Sequence, residues 1–356
     1  MPSHPNAALL HDARHPFPEP LIPHGALGEA ETSDLQAAIT AWERSGRPES
    51  FAVLETFVGQ YPNSAWAIAV QANMGILAME QARFSVALRW LEQAFVAGQD
   101  VQETKLRALV DRTLGELLRL SARLGDVTAL DRWLRIADAR PMRGGATEAR
   151  TAARIALWSL RNQTGVAHRC GAAALKGVLL AKEPSPALPI LKTLESARSG
   201  VDGLSLLALE HLAAEVGIAM KAVRREDTET PVPTPAVLHW RVGHFATLLD
   251  YRDGRYLLRD SVFPNDRWIA ASTVENEGSG FFLVESVAPG FRVATPEEKA
   301  AIVGRGYVSG QQPGANKKES TKIPTKPQKC TGMATYTAYA ATVSLVLEDT
   351  PLEYAP

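Results

Sequence analysis

The order of the periodic patterns constrains the fold of this chain more than any other feature, because helical patterns come first and strand patterns follow. From Ser33 to about residue 162, apolar residues recur at helical spacing in one segment after another. Two more helical patterns follow residue 165, and the stretch Pro231–Pro235 ends them. Four segments of alternating, β-branched or aromatic character come next: AVLHW, GHFATLLDY, RYLLRDSVF and FFLVES. Helices followed by antiparallel strands predict an α+β fold.

The same patterns predict four segments of different character. Residues 1–32 are rich in Pro, His and Ala without periodicity, which predicts a flexible arm. Residues 33–162 predict an all-α array of helical hairpins, each burying its apolar stripe on the next. Residues 163–290 hold the later helices and the strands, and residues 291–356 predict a polar linker and a tail.

One pair of helices in the array resembles a tetratricopeptide unit. Small residues at matching places let two antiparallel helices approach closely. They are Gly75 in the first helix and Ala87, Leu91 and Ala94 around the second.

Composition and charge exclude several classes of function. The chain has 356 residues with 38 Lys and Arg against 39 Asp and Glu, which argues against a nucleic-acid binder. It holds no run of 18 apolar residues, so no transmembrane helix is expected. The N-terminus lacks the basic-then-apolar order of a secretory signal, which leaves the compartment unknown and the cytoplasm as the default. Motifs for nucleotide, zinc and calcium binding are missing, and we expect no cofactor and no metal.

Cys170 is the residue best suited to take part in a chemical reaction. The chain holds two cysteines in different contexts, Cys170 and Cys330, which excludes a disulfide framework and a four-cysteine zinc site. Cys170 begins a predicted helix, where backbone N–H groups and the helix dipole stabilise a negative charge. A thiolate at this place is suited to nucleophilic catalysis. The alternative is a small buried side chain at a helix start.

His244 and Asp260 complete a candidate triad on the predicted strands. His244 begins the second strand, and Asp260 ends the next one across an Asp253-Gly254 hairpin. A carboxylate there would accept a hydrogen bond from Nδ1 of His244 and orient the ring toward a thiol. His239 and His168 are alternative bases, and we prefer His244 because it lies on the opposite side of the strand from His239.

The order Cys, His, Asp, with the cysteine opening a helix, is the arrangement of papain-like cysteine peptidases. RCGAAAL, PTPAVLHWRVGHFATLLDYRDGRYLLRDSVF and GFFLV resemble the bacteriocin-processing, double-glycine peptidase family. The resemblance covers about residues 163–286 and implies a papain-like cysteine peptidase domain. It implies Cys170 as nucleophile, His244 as general base and acid, and Asp260 as the residue that orients the imidazole. The family's oxyanion-binding glutamine corresponds to Gln163, although the spacing to the cysteine is one residue longer.

The resemblance predicts an enzyme that hydrolyses peptide bonds in its own or a neighbouring polypeptide. The competing hypotheses are a protein-interaction scaffold with a degenerate peptidase fold, and a triad used for acyl transfer or deamidation. The last residues, GMATYTAYAATVSLVLEDTPLEYAP, resemble the segment that introduces RHS/YD-repeat proteins, so an RHS/YD-repeat polypeptide is an expected partner.

Overall fold

The structure, a computed structural model, describes residues 16–308. Within this range the chain divides into two compact units. The first comprises residues 16–120, 132–149 and 269–277, and the second comprises residues 121–131, 150–268 and 278–308. The division differs from the predicted boundary between residues 162 and 163. Residues 121–131 and 150–162 instead group with the candidate peptidase region.

Within the described residues, seven helices lie between residues 29 and 162, as the repeated apolar stripes predict. They are α1 (Glu29–Arg44), α2 (Ala52–Gln60), α3 (Ala67–Glu80), α4 (Phe84–Gly98), α5 (Thr104–Leu124), α6 (Val127–Ala139) and α7 (Gly145–Asn162). A Cβ atom on Gly75 would lie 2.7 Å from the Leu91 side chain, so α3 and α4 approach as closely as the small residues predict. The tetratricopeptide resemblance itself stays a prediction.

The described part of the predicted N-terminal arm is packed against the first unit rather than flexible. Phe17 and Leu21 are buried, and the Phe17 ring stacks on Trp42 with centroids 5.5 Å apart. Asn73 accepts a hydrogen bond from the backbone N–H of Glu19 at 2.8 Å. These apolar contacts explain why a segment without periodicity is ordered. Residues 1–15 of the arm lie outside the described residues.

The second unit combines short helices with an antiparallel sheet, and its α+β character agrees with the predicted fold class. Its further helices are α8 (Thr164–Ala167), α9 (Cys170–Lys182), α10 (Leu188–Ser196), α11 (Leu206–Glu215) and α13 (Pro296–Ala301), while α12 (Ala271–Glu277) belongs to the first unit. The strands are β1 (Leu204–Ser205), β2 (Lys221–Arg225), β3 (Ala236–Trp240), β4 (His244–Arg252), β5 (Arg255–Arg259), β6 (Arg267–Ala270), β7 (Gly278–Val284), β8 (Phe291–Val293) and β9 (Val303–Gly304).

The large sheet has the strand order β6-β5-β4-β3-β7-β2-β8, and β1 pairs with β9 in a separate two-stranded sheet. The pairs β3/β4, β4/β5, β3/β7, β2/β7 and β2/β8 are antiparallel. Asp253 and Gly254 both adopt positive φ, 49° and 73°, between β4 and β5. Two consecutive positive φ values match the tight turn that this dipeptide predicts, and the turn fixes the register of the strands.

Helix α9 packs directly on strand β4, which sets the distance between the first residues of the two elements. A Cβ atom on Gly177 would lie 2.3 Å from Oγ1 of Thr247, so only glycine allows this approach. The Thr247 hydroxyl donates to the carbonyl of Ala174 at 2.7 Å. The core around α9 includes Leu175, Val178, Leu209, Ala222, Val237 and Phe245.

Residues 291–308, predicted as the start of a linker, are instead built into the second unit. Strand β8 extends the large sheet beside β2, and Ala294 is buried in the core. Strand β9 pairs with β1 through Leu204 opposite Gly304. The sequence analysis grouped this stretch with the polar residues that follow it, although half of its own residues are apolar and Phe291 is buried. No helix within residues 16–308 has the length and apolar character needed to span a bilayer.

Candidate active site

Cys170 is the first residue of α9, as the sequence predicts, and its side chain is buried with 1% of its surface exposed. The preceding N-cap residue is Arg169, whose side chain makes no cap. Backbone N–H groups at this end of the helix therefore lie beside the cysteine. Gly171 lets Leu209 approach, since a Cβ there would lie 2.9 Å from the leucine side chain. The thiol is thus held at a fixed position at the positive end of a 13-residue helix.

His244 begins β4 opposite Trp240 of β3, and it is fully buried. Its Nε2 lies 2.7 Å from Oδ1 of Asp260. The sequence analysis assigned the Asp260 contact to Nδ1, and this assignment is wrong. Nδ1 is the ring nitrogen nearer the backbone, and the close packing of α9 on β4 leaves it on the side of Cys170. A Cβ atom on Gly306 would lie 2.2 Å from this Nδ1 and 2.7 Å from Cβ of Cys170. Nδ1 of His244 and the Cys170 side chain therefore both lie next to Gly306.

Asp260 follows β5, and each of its buried carboxylate oxygens has a donor. Oδ1 accepts from the backbone N–H of Val262 at 2.9 Å as well as facing His244. Oδ2 accepts from Nε1 of Trp240 at 3.0 Å. Donors on both oxygens hold the buried carboxylate in one orientation. Sequence reasoning missed Trp240 as a partner of Asp260, although a buried indole N–H requires an acceptor and was a usable signal.

The environment of His244 favours its protonated form. Burial by itself lowers the pKa, but attraction to Asp260, the hydrogen bond with it and the interaction with the Cys170 side chain outweigh burial. The net effect raises the pKa of His244 from 6.5 to about 10. An imidazolium at neutral pH beside a thiol is the electrostatic setting that stabilises a thiolate.

The two alternative bases have other partners. Nδ1 of His239 lies 2.9 Å from the Ser279 hydroxyl, and its Nε2 lies 3.0 Å from the carbonyl of Val303. Burial lowers the pKa of His239 to about 4, so this ring is neutral and donates from Nε2 to the carbonyl. Nδ1 of His168 lies 2.6 Å from the carbonyl of Arg305. Both rings therefore hold backbone carbonyls of residues 303–305.

Gln163, the predicted oxyanion-binding residue, is the N-cap of α8 and is half-buried. Its backbone carbonyl accepts from Val166 and Ala167, each at 2.9 Å. Its role in the site stays a prediction. The backbone N–H of Cys170, which lies at the helix N-terminus and could bind an oxyanion, donates to the carbonyl of Gly306 at 3.2 Å.

Residues 302–307, called here the covering segment, lie over the thiol. The N–H of Gly306 donates to Sγ of Cys170 at 3.2 Å. A Cβ atom on Gly304 would lie 3.1 Å from the same sulfur. Sequence reasoning missed the segment because it placed these residues in a linker. The alternation Gly304-Arg305-Gly306 was the available signal, since two glycines two apart suggest a close backbone approach.

The site is built from a thiol, an imidazole and a carboxylate in series, with backbone N–H groups beside the sulfur. Among the residues described, no group of three or more His, Cys, Asp or Glu side chains is placed to hold a metal ion. What the triad residues offer is a nucleophile, a proton carrier and an orienting charge, which is the chemistry of acyl transfer to and from sulfur.

Part of the chain is similar to known proteins. Residues 162–288 match the Peptidase C39 family, and the match contains Cys170, His244 and Asp260. A solved structure described as a double glycine motif protease from an AMS/PCAT transporter, in complex with the leader peptide, is 23% identical with a TM-score of 0.29. The similarity covers 36% of this chain and 86% of that chain. None of the curated proteins compared with the chain matches it.

The family match together with the antiparallel sheet confirms the fold class. The chain has an α+β fold in which a helical N-terminal part precedes a papain-like domain. The match also supports the peptidase part of the resemblance. The RHS/YD-repeat resemblance falls on the last residues of the chain, and Cys330 precedes them. Both lie outside the described residues.

Proposed function

We propose that this chain is a cysteine peptidase that hydrolyses peptide bonds with Cys170, His244 and Asp260. One observation carries the proposal: Asp260 contacts one ring nitrogen of His244 at 2.7 Å, and the other ring nitrogen faces the Cys170 side chain at the start of α9. The family match over residues 162–288 supports the same class of enzyme.

The roles follow from the chemistry of the three groups. The Cys170 thiolate attacks a peptide carbonyl and forms a tetrahedral intermediate, whose oxyanion the N–H of Cys170 stabilises. His244 then gives its proton to the leaving amine, and a thioester remains on the sulfur. Water hydrolyses the thioester, with His244 as the base. Asp260 stabilises the imidazolium and fixes the ring throughout.

The proposed substrate is a peptide or protein segment in extended conformation. The covering segment supports this assignment, because extended backbone already lies beside the thiol and bonds to it through Gly306. The scaffold hypothesis predicts no turnover from the same geometry, so the two hypotheses differ in a direct assay.

The test is hydrolysis of peptide bonds by the purified full chain, measured by mass spectrometry both in the chain itself and in a proteome-derived peptide library. We expect Cys170→Ala to abolish every cleavage. The matched variant Cys330→Ala removes the other cysteine and should leave cleavage unchanged. Identical products from the Cys170→Ala protein would refute the proposal, and so would the absence of any cleavage by the intact protein.

A further inference from the structure

The covering segment is held on both sides by backbone hydrogen bonds. On one side, β9 pairs with β1, and the N–H of Leu206 donates to the carbonyl of Ile302 at 2.8 Å. On the other side, the N–H of Arg305 donates to the carbonyl of Gly243 at 2.8 Å. An extended chain bonded in this way has the geometry of a peptide bound by β-strand addition.

The carbonyl of Gly306 occupies the place where a scissile carbonyl is expected. Its oxygen accepts from the backbone N–H groups of Arg169 and Cys170, at 3.0 and 3.2 Å. These two groups lie at the N-terminus of α9, where the helix dipole stabilises negative charge on an oxygen. No neighbouring carbonyl of the described segment has this pair of donors, since those of Val303 and Arg305 contact His239 and His168.

Two positions of the segment accept glycine alone. A Cβ atom on Gly306 would lie 2.2 Å from Nδ1 of His244, and one on Gly304 would lie 2.3 Å from the Phe245 ring. Phe245 and His244 are buried and cannot move aside cheaply. Arg305, between the glycines, is exposed. At these two positions the segment presents bare backbone to the nucleophile.

The chain is also held beyond Gly306. The N–H of Tyr307 donates to the carbonyl of Arg123 at 3.0 Å, and Tyr307 forms an antiparallel bridge with His168. The peptide bond between Gly306 and Tyr307 is therefore fixed on both sides, with its carbonyl at the donors and its preceding N–H on the sulfur. Fixing both ends in a reactive geometry is a large part of what an enzyme does for its substrate.

We infer that the Gly306–Tyr307 bond is a substrate of the Cys170 site and that the protein cleaves its own chain there. The inference rests on the proposed peptidase function. It adds which bond is cleaved, that glycine is required at position 306, and that the reaction is intramolecular.

The step balances as a hydrolysis. The Cys170 sulfur forms a bond to the carbonyl carbon of Gly306, and the bond from that carbon to the nitrogen of Tyr307 breaks. His244 supplies the proton that the new amino group of Tyr307 needs. One water then attacks the thioester, the carbon–sulfur bond breaks, and the products are a chain ending in the Gly306 carboxylate and a chain beginning with Tyr307.

The experiment follows the purified full chain over time by intact mass and N-terminal sequencing. We expect a new N-terminus at Tyr307, with a rate that is independent of protein concentration because the bond lies in the same molecule. Cys170→Ala should leave the chain intact. Gly306→Ala should slow the cut at least 100-fold because the added methyl group collides with His244. The matched variant Gly59→Ala, at a helical position with open space around it, should be cut like the parent.

The outcomes separate this inference from the proposed function. A chain that stays intact at Gly306–Tyr307 while library peptides are cleaved in a Cys170-dependent way overturns the inference and leaves the peptidase standing. Failure of both reactions refutes the peptidase itself. Cleavage at Tyr307 that persists in Cys170→Ala, or that proceeds unchanged in Gly306→Ala, also overturns the inference.

Discussion

At the scale of single residues, the site depends on a histidine whose protonation is tied to folding. Asp260 and Cys170 raise the pKa of His244 to about 10, against 6.5 for the free side chain. The indole N–H of Trp240 donates a 3.0 Å hydrogen bond to the other carboxylate oxygen of Asp260. The charge state of the ring therefore belongs to a buried set of four side chains, and a change in any one affects the others.

This linkage predicts a pH dependence of stability. A folded-state pKa above the unfolded one stabilises the protein fully below about pH 6.5, and the stabilisation is lost as the pH rises toward about 10. The free energy of unfolding in urea should therefore fall over this range more steeply for the parent protein than for His244→Gln. The exposed His211 offers the control, because His211→Gln should keep the parental slope. Equal slopes for parent and His244→Gln would contradict the protonated imidazole.

At the scale of elements, the contact between α9 and β4 sets the geometry of the triad. Gly177→Ala places a methyl group 2.3 Å from Oγ1 of Thr247, which is buried and bonded to Ala174. We expect a loss of about 1–3 kcal/mol in the free energy of unfolding, as for other overpacked cores. Turnover should fall as well, since α9 carries Cys170 and β4 carries His244. Gly59→Ala is the matched helical control, and a Gly177→Ala protein with parental stability and turnover would refute this packing argument.

The elements that carry the triad were predictable because each has a strong local signal. The residues of β3 and β4 are mostly apolar or alternate between apolar and polar, and Asp253-Gly254 predicts the turn of the hairpin that follows. At α9, a cysteine precedes a run of helix-forming residues. Strand β2 has the sequence KAVRR and β8 has only three residues, so neither stands out from a polar loop. Apart from its two glycines, the covering segment carries no strong local signal either. Its order comes from pairing with distant residues rather than from its own composition.

At the scale of the whole molecule, the second unit is assembled from segments that are far apart in the sequence. The predicted peptidase segment, 163–290, lacks residues 121–131, 150–162 and 291–308, which group with it in the structure. Without them, β2 loses its neighbour β8 and β1 loses β9. The active region therefore depends on residues that a family match alone leaves out.

This organisation predicts different behaviour for two fragments. Residues 163–290 should fail to unfold cooperatively in urea, because unpaired strand edges and an incomplete core remain. Residues 121–308 contain every described residue of the second unit and should show a cooperative transition. Circular dichroism during urea titration measures both. A cooperative transition of the shorter fragment at the midpoint of the longer one would mean that the added segments are dispensable.

The central claim, that Cys170, His244 and Asp260 act as one catalytic unit, is tested most directly by the cleavage rates of single and double variants. Cys170→Ala and His244→Ala should each reduce the rate of peptide hydrolysis by about 10³-fold or more, and Asp260→Asn should reduce it less. The double variant of Cys170 and His244 should be scarcely slower than either single variant, because the two residues serve the same step. Losses that multiply in the double variant, or substantial cleavage remaining in Cys170→Ala, would contradict the triad.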